Sequence, residues 1–234
     1  MTQAAGAAAG TPCVVFIVDD DVSVRESLEL LLETAGWPVE TFESAQQFLE
    51  RTRPLVPSCL VLDVAMPGLN GLDLQQRVVA ERPDMPIIFI TGYGDVPTTV
   101  RAMKAGAVEF LTKPISDELL LEAVRQAIER SRAALQDELQ LNALRGRYAS
   151  LSQREREVMV LVVSGLLNKQ VGGKLGISEI TVKAHRGSVM RKMQAASLPD
   201  LVNMCALLGL GGVREGSSPA GSPERLTAER RPPA

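Results

Sequence analysis

The chain has 234 residues, 45% apolar and 23% charged, with a formal net charge of −3, which suits two modest soluble domains, each with its own core. Aromatic residues make up only 3%, so those cores must be mostly aliphatic. The single histidine, His185, excludes a multi-histidine zinc site and, outside its own neighbourhood, a Ser-His or Cys-His catalytic pair. Cys13, Cys59 and Cys205 are scattered without a C-x-x-C, as in a reducing cytoplasm. No run approaches the roughly 18 consecutive apolar residues of a membrane span, so a cytoplasmic protein with no membrane partner is expected. Charge is unevenly spread: residues 1–125 hold 9 basic and 18 acidic residues, residues 151–211 hold 8 and 4. An acidic front half and a basic back half imply different jobs.

Residues 1–12 are small and Ala/Gly-rich and predict a disordered lead-in. Val14–Val18 is an apolar run of strand length that ends on Asp19-Asp20-Asp21. A helix follows, with Val24, Leu28, Leu31 and Leu32 on one face and Gly36 as its stop. Trp37 to Phe42 reads as a short strand, and Ser44 as the cap of a helix carrying Phe48 and Leu49. Cys59–Leu62 is a buried strand ending on Asp63, after which Met66-Pro67-Gly68 turns the chain away. Leu72–Glu81 is helical, Ile87–Ile90 is a strand ending at Thr91, and Val96–Ala105 is a helix stopped by Gly106. Val108–Leu111 is the last strand, ending in Thr112-Lys113-Pro114.

Strands alternating with helices imply a parallel sheet wrapped on both faces. With strand order 2-1-3-4-5, Asp19, Asp20 and Asp63 share one crevice at the carboxyl ends of the strands, with Thr91 and Lys113 on its rim. Three packed carboxylates repel unless a cation joins them, and an all-oxygen donor set favours Mg²⁺. Asp63 could then act as a nucleophile toward a phosphoryl group, forming an acyl phosphate. Lys113 would neutralise the phosphoryl oxygens and the Thr91 hydroxyl would hydrogen-bond one of them. The bland reading makes the Asp run a solvated helix start and Lys113 a surface charge.

The pattern I-V-D-D-D, L-D-V-x-M-P-G, I-T-G-Y-G-D and F-L-T-K-P, in this order over residues 13–130, resembles the receiver domain of two-component response regulators. The resemblance implies a doubly wound, flavodoxin-like five-stranded sheet with Asp63 as phosphoacceptor. It implies Asp20 as a direct Mg²⁺ ligand, Asp19 acting largely through water, and the main-chain carbonyl of Ala65 as a further ligand. Thr91 becomes the switch hydroxyl, Lys113 the phosphate-pairing lysine, Lys113–Pro114 a cis peptide and Phe110 the aromatic switch. Small Ala65 leaves water access to the site open, whereas Tyr93 restricts it.

Asp117 to about Leu144 has the spacing of one long helix that exceeds what the receiver needs, so residues 131–147 read as a helical linker ending at Arg145-Gly146-Arg147. A coiled-coil seam and a partly packed linker both remain open. From 148 to 210 four helices are predicted. The first is capped by Ser152 with Glu155 three residues on, and buries Val158, Leu161 and Val162. The second, Lys169–Leu175, is capped by Asn168, and the third, Glu179 to about Met193, by Ser178. The fourth is Leu198–Leu208. The second and third form a helix-turn-helix, whose later helix enters the major groove. On that helix Ile180, Val182, Val189 and Met193 are assigned inward and Thr181, Lys183, Arg186, Arg191 and Lys192 outward; His185 fits either a core position or a DNA contact.

L-S-x-R-E-x-E-V, G-L-x-N-K and I-S-x-x-T-V-K-x-H-R-x-x-V-M-x-K-M resemble the LuxR-type DNA-binding domain, and with the receiver the chain looks like a FixJ-like response regulator. The resemblance puts Lys183, Ala184 and Gly187 at base-reading places and Thr181, Arg186 and Lys192 nearer the DNA backbone, with Arg186 and Ser188 as substitute readers. Gly187 and the pair Gly172-Gly173 depart from the pattern and predict a weakened reader. The tail, 211–234, is rich in Gly, Ser and Pro and is expected to be disordered. The expected partners are a sensor histidine kinase, since no ATP-binding motif is present, promoter DNA, a second copy of the chain once phosphorylated, and RNA polymerase. The receiver's only catalysis would be on its own aspartate. A phosphohydrolase would need a second acid beside Asp63, where Val64-Ala65 stand; an interaction module would lack DNA binding.

Overall fold

The computed structural model describes residues 12–92 and 96–210. The expected disorder of 1–11 and 211–234, and the reading of Tyr93, lie outside the described residues. Two compact units meet in the chain between Gln140 and Leu141.

In the first unit the strands are β1 (Val14–Val18), β2 (Val39–Phe42), β3 (Ser58–Asp63), β4 (Ile87–Thr91) and β5 (Glu109–Thr112). Between them run α1 (Val22–Thr34), α2 (Ala45–Glu50), α3 (Gly71–Glu81) and α4 (Val96–Lys104), and α5 (Asp117–Ala149) follows β5. All strand pairs are parallel, in the order β2-β1-β3-β4-β5. The central strands are fully buried because each alternates apolar residues toward two separate cores. Phe16, Val18, Leu60, Leu62 and Phe89 face one, where Phe48 of α2, Leu74 of α3 and Ala102 of α4 close over them. Val15, Ile17, Val61, Ile88 and Ile90 face the other, against Leu28 and Leu32 of α1 and Leu120, Val124 and Ile128 of α5.

Local signals start the helices. Asp21 accepts from the backbone N–H groups of Ser23 and Val24, Ser44 from Gln47 and Asn70 from Asp73, each satisfying an otherwise orphaned donor. Two long-range bonds are invisible in the sequence pattern. The Ser131 hydroxyl accepts from Ser58 N–H at 2.9 Å, tying α5 to the start of β3, and the buried Gln75 amide donates to Ala102 O at 3.0 Å, tying α3 to α4. The helix α5 does not end at Arg145-Gly146-Arg147 as expected. It continues to Ala149, because Leu144 and Tyr148 pack into the second unit's core and outweigh the roughly 1 kcal/mol a mid-helix glycine costs.

The second unit adds α6 (Gln153–Val163), α7 (Asn168–Leu175), α8 (Glu179–Met193) and α9 (Leu198–Leu207). Ser152 and Glu155 form the expected capping box and Ser178 caps α8. Asn168 is not the cap of α7; it is the first helical residue, and the Gln170 side chain accepts from Leu167 N–H at 2.8 Å instead. Gly172, which the sequence predicts to weaken this unit, stands where the fold leaves no room for a side chain. A Cβ there would lie 2.7 Å from Ile177 O, so the α7–α8 turn requires a glycine, whereas Gly173 and Gly187 face open space.

Candidate functional site

The parallel sheet brings five side chains to the carboxyl ends of β1, β3, β4 and β5. Asp19 is wholly buried, and Asp63 and Thr91 nearly so, while Asp20 is exposed. Carboxylate oxygens of Asp19, Asp20 and Asp63 all lie within 4.8 Å of one another. Lys113 donates to Asp19 Oδ2 at 2.7 Å and stands 3.6 Å from Asp63 Oδ1, too far for a hydrogen bond. Lys113 is held there by its own backbone, whose N–H donates to Thr91 O at 2.8 Å, just before the cis Lys113–Pro114 peptide.

Asp19 is fixed on several sides: Asp21 N–H donates to its Oδ1 at 2.9 Å, and the Arg25 guanidinium donates to its carbonyl at 2.6 Å. Asp21 itself serves as the helix cap and is held below the usual carboxylate range by its bonds from Ser23 and Val24. The bland reading of the Asp run therefore describes Asp21, not its two neighbours. Burial pushes the Asp63 carboxyl above its ordinary range, Lys113 opposes this, and Asp19 and Asp20 add to it. Burial alone would pull the Lys113 ammonium down, but its bond and pairing with Asp19, joined by Asp63, raise it.

The residues fit a hard divalent cation. Asp63 Oδ1 is buried without a hydrogen-bond partner, and the donor set is oxygen only. Ala65, two residues after Asp63, is exposed, and Phe110 of β5 is half-buried with its ring 6.2 Å from that of Phe89.

Two positioning residues escaped the sequence pattern. One is Arg25. The other is Gly71, where a Cβ would sit 2.3 Å from Asp63 O, so only glycine lets α3 start against the Asp63 backbone. Its position directly after the Asn70 cap was the one available signal.

In the second unit, α8 sorts its residues differently from the expectation. Val182, Val189 and Met193 are buried, but Ile180 is 80% exposed, a correction to its inward assignment. Ile180 lies about half a turn of the helix wheel from Val182, so both cannot face one core. Lys183, Ala184 and Gly187 are exposed, and Lys183 reaches Glu179 at 3.4 Å. Thr181 is exposed, its hydroxyl 2.8 Å from that of Ser178. Arg186 is half-buried and reaches Asn168 Oδ1 at 3.4 Å; His185 is also half-buried. Lys192 is turned back onto the unit, donating to the buried Glu155 at 2.7 Å and to Ser150 O at 3.3 Å, and Ser188 donates to the other Glu155 oxygen. Ser188, the expected substitute reader, is half-buried and bonded to Glu155. These bonds hold the Glu155 carboxyl down to about 2, with Lys192 the largest cause and Ser188 next.

An acidic triad with a lysine at the carboxyl edge of a 2-1-3-4-5 sheet, followed by a helix-turn-helix unit, defines a receiver joined to a DNA reader. Comparison with known proteins agrees. The response regulator receiver domain model matches residues 15–125, and the model of bacterial regulatory proteins of the luxR family matches residues 149–205. Nodulation protein W of Bradyrhizobium diazoefficiens is 51% identical over 86% of this chain and 89% of its own length. The transcriptional regulatory protein FixJ of Azorhizobium caulinodans is 46% identical over 84% and 93%. Among solved structures, the response regulator StyR is 47% identical, covering 83% of this chain and 98% of its own, with a TM-score of 0.75. The chain belongs to the two-component response regulators that join a receiver to a LuxR-type DNA-binding domain, and it is a transcription regulator of that class.

Proposed function

We propose that Asp63 accepts a phosphoryl group from a phosphohistidine of a sensor kinase, and that this modification promotes binding of the second unit to promoter DNA. The observation that carries the reading is the buried, unpartnered Asp63 Oδ1, with Lys113 held 3.6 Å away and Asp19 and Asp20 beside it. In the transfer, an Asp63 oxygen forms the new bond to phosphorus, the P–N bond of the kinase histidine breaks, and the electron pair leaves with the imidazole. Asp20, Asp63 and the Ala65 carbonyl would hold Mg²⁺, with Asp19 acting through water. Bound there, the ion would supply charge neutralisation between carboxylates and phosphoryl oxygens. Lys113 pairs with the phosphoryl group, and the Thr91 hydroxyl donates to it and so couples to Phe110 as the switch. The chain's own chemistry is confined to this aspartate.

Phosphorylated receivers would pair as a homodimer, placing two copies of α8 on paired half-sites, with RNA polymerase as a further partner. Thr181, Lys183, Ala184, Arg186, Gly187 and Lys192 are the DNA-facing set by family position, and of these Lys192 is committed to Glu155. Among them the exposure of Lys183, Ala184 and Gly187 supports direct contact most strongly. The proposed domain limits are 13–130 and 148–210 with a helical linker over 131–147, whose two ends are shared with the units: Ser131 is bonded to Ser58 and Leu144 packs in the second core. A DNA reader of this kind acts in the cytoplasm, where promoter DNA lies; no helix among the described residues is long and apolar enough to cross a membrane.

The test is a DNA-binding titration of the full chain with and without Mg²⁺ and a small phosphodonor, for wild type and Asp63→Asn. Tightening that needs the phosphodonor and vanishes in the variant is expected. Binding indifferent to the phosphodonor would sink the switch.

A further inference from the structure

The solvent face of α8 carries an apolar side chain that the fold does not use. Ile180, at 80%, is the most exposed large apolar residue among those described. By helical period it shares a face with Lys183, Ala184, Gly187 and Arg191, all exposed, directly opposite the buried Val182, Val189 and Met193.

The rest of that face is low and basic. A Cβ at Gly187 would meet nothing within 4 Å, and Ala184 adds one methyl, so a partner surface can approach the α8 backbone closely. Lys183 and Arg191 flank this low strip, and the acidic residue nearby, Glu179, is paired with Lys183. A basic strip suits a polyanion, yet Ile180 stands at its N-terminal end, where recognition helices reach base edges. The apolar feature that duplex DNA offers a side chain there is the thymine 5-methyl group in the major groove. Thr181, the next residue, has its hydroxyl engaged with that of the Ser178 cap.

We propose that Ile180 is a specificity-determining residue that packs against a thymine 5-methyl group in the major groove, on the N-terminal side of the bases reached from Lys183 and Ala184. The proposal rests on α8 being the groove-entering helix and adds a sequence preference to that reading.

The test uses the full chain with Mg²⁺ and a small phosphodonor. A preferred duplex is first selected from a random pool, and each thymine of its half-site is then replaced singly by deoxyuridine, which removes only the methyl. Wild type is expected to lose about fourfold in affinity at one such position, the worth of one buried methyl group. Ile180→Ala is expected to bind the thymine duplex several-fold more weakly and to be indifferent to deoxyuridine at that position. Its salt dependence should match wild type, since no charge is removed. Wild type indifferent to deoxyuridine at every thymine would overturn the proposal, as would an Ile180→Ala variant that keeps the wild-type deoxyuridine penalty. An Ile180→Ala variant with unchanged DNA affinity but lost transcriptional output would overturn it in favour of a protein partner on this face. If wild type enriches no sequence at all, the groove-entering reading of α8 fails first, before any variant is made.

Discussion

Lys113 gives its hydrogen bond to Asp19, at 2.7 Å, and not to Asp63, which it approaches only to 3.6 Å. The phosphoacceptor candidate therefore keeps a buried oxygen without a partner, while its neighbour is saturated. The crowding of Asp63 against Asp19 and Asp20 carries an electrostatic cost that a bound cation would relieve.

Asp63→Asn removes one of three crowded carboxylate charges and should stabilise the metal-free protein by about 1 kcal/mol, a rise of a few degrees in Tm. Saturating Mg²⁺ should narrow the gap, because wild type gains binding free energy that the variant gains less of. Calorimetry in chelator and in Mg²⁺ reads both effects. A variant no more stable than wild type in chelator would show that the oxygen has a partner.

The second unit's glycines should behave oppositely. Gly172→Ala drives a Cβ to 2.7 Å from Ile177 O and should cost about 1–3 kcal/mol. Gly187→Ala fills open space on an exposed helix face and should add up to about 1 kcal/mol. Chemical denaturation followed by helix ellipticity distinguishes them, and equal effects would contradict the turn geometry.

Glu155 makes acid stability specific to the second unit. Its carboxyl titrates near 4.5 when unfolded and is held to about 2 in the fold by Lys192, Ser188 and the Ser152 backbone. A depressed folded pKa contributes stability that is fully present above the unfolded value and is lost as pH falls toward the folded one. The α6–α8 unit should therefore lose stability between about pH 4.5 and pH 2, and Glu155→Gln should flatten that limb while lowering stability at neutral pH. Thermal melts across this range check the slope, and a Glu155→Gln variant with the wild-type limb would assign it to other carboxylates.

Lys183 and Lys192 should differ in the salt dependence of DNA binding. Lys183 is exposed, and its replacement by Ala should lower the slope of log affinity against log salt by about one. Lys192 is committed to Glu155, so Lys192→Met should destabilise the unit with little change in that slope. Filter binding at several salt concentrations separates the two, and a full unit lost with Lys192→Met would return that lysine to the DNA backbone.

Most of the architecture was legible because its signals are local. The apolar runs Val14–Val18, Cys59–Leu62 and Ile87–Ile90 announce strands by length alone, and Asp19, Asp63 and Thr91 sit directly at their ends, where a parallel sheet gathers them into one crevice. Asp21, Ser44, Ser152 and Ser178 announce helix starts through bonds spanning two or three residues. The preference of Lys113 for Asp19, 94 residues away, depends on sub-ångström differences that no pattern encodes. The same holds for Gly71 against the Asp63 carbonyl, and for Lys192 and Ser188 turned onto Glu155. Ile180 is half a helix turn out of phase with Val182, Val189 and Met193, so its exposure was legible in the helical period once those three are placed on the core face. Sequence thus determined which elements form and which chemistry stands at their ends, since caps, periods and turns act over a few residues. Tertiary structure alone decided which side chain pairs with which, because packing brings together groups far apart in the chain and fixes the distances between them.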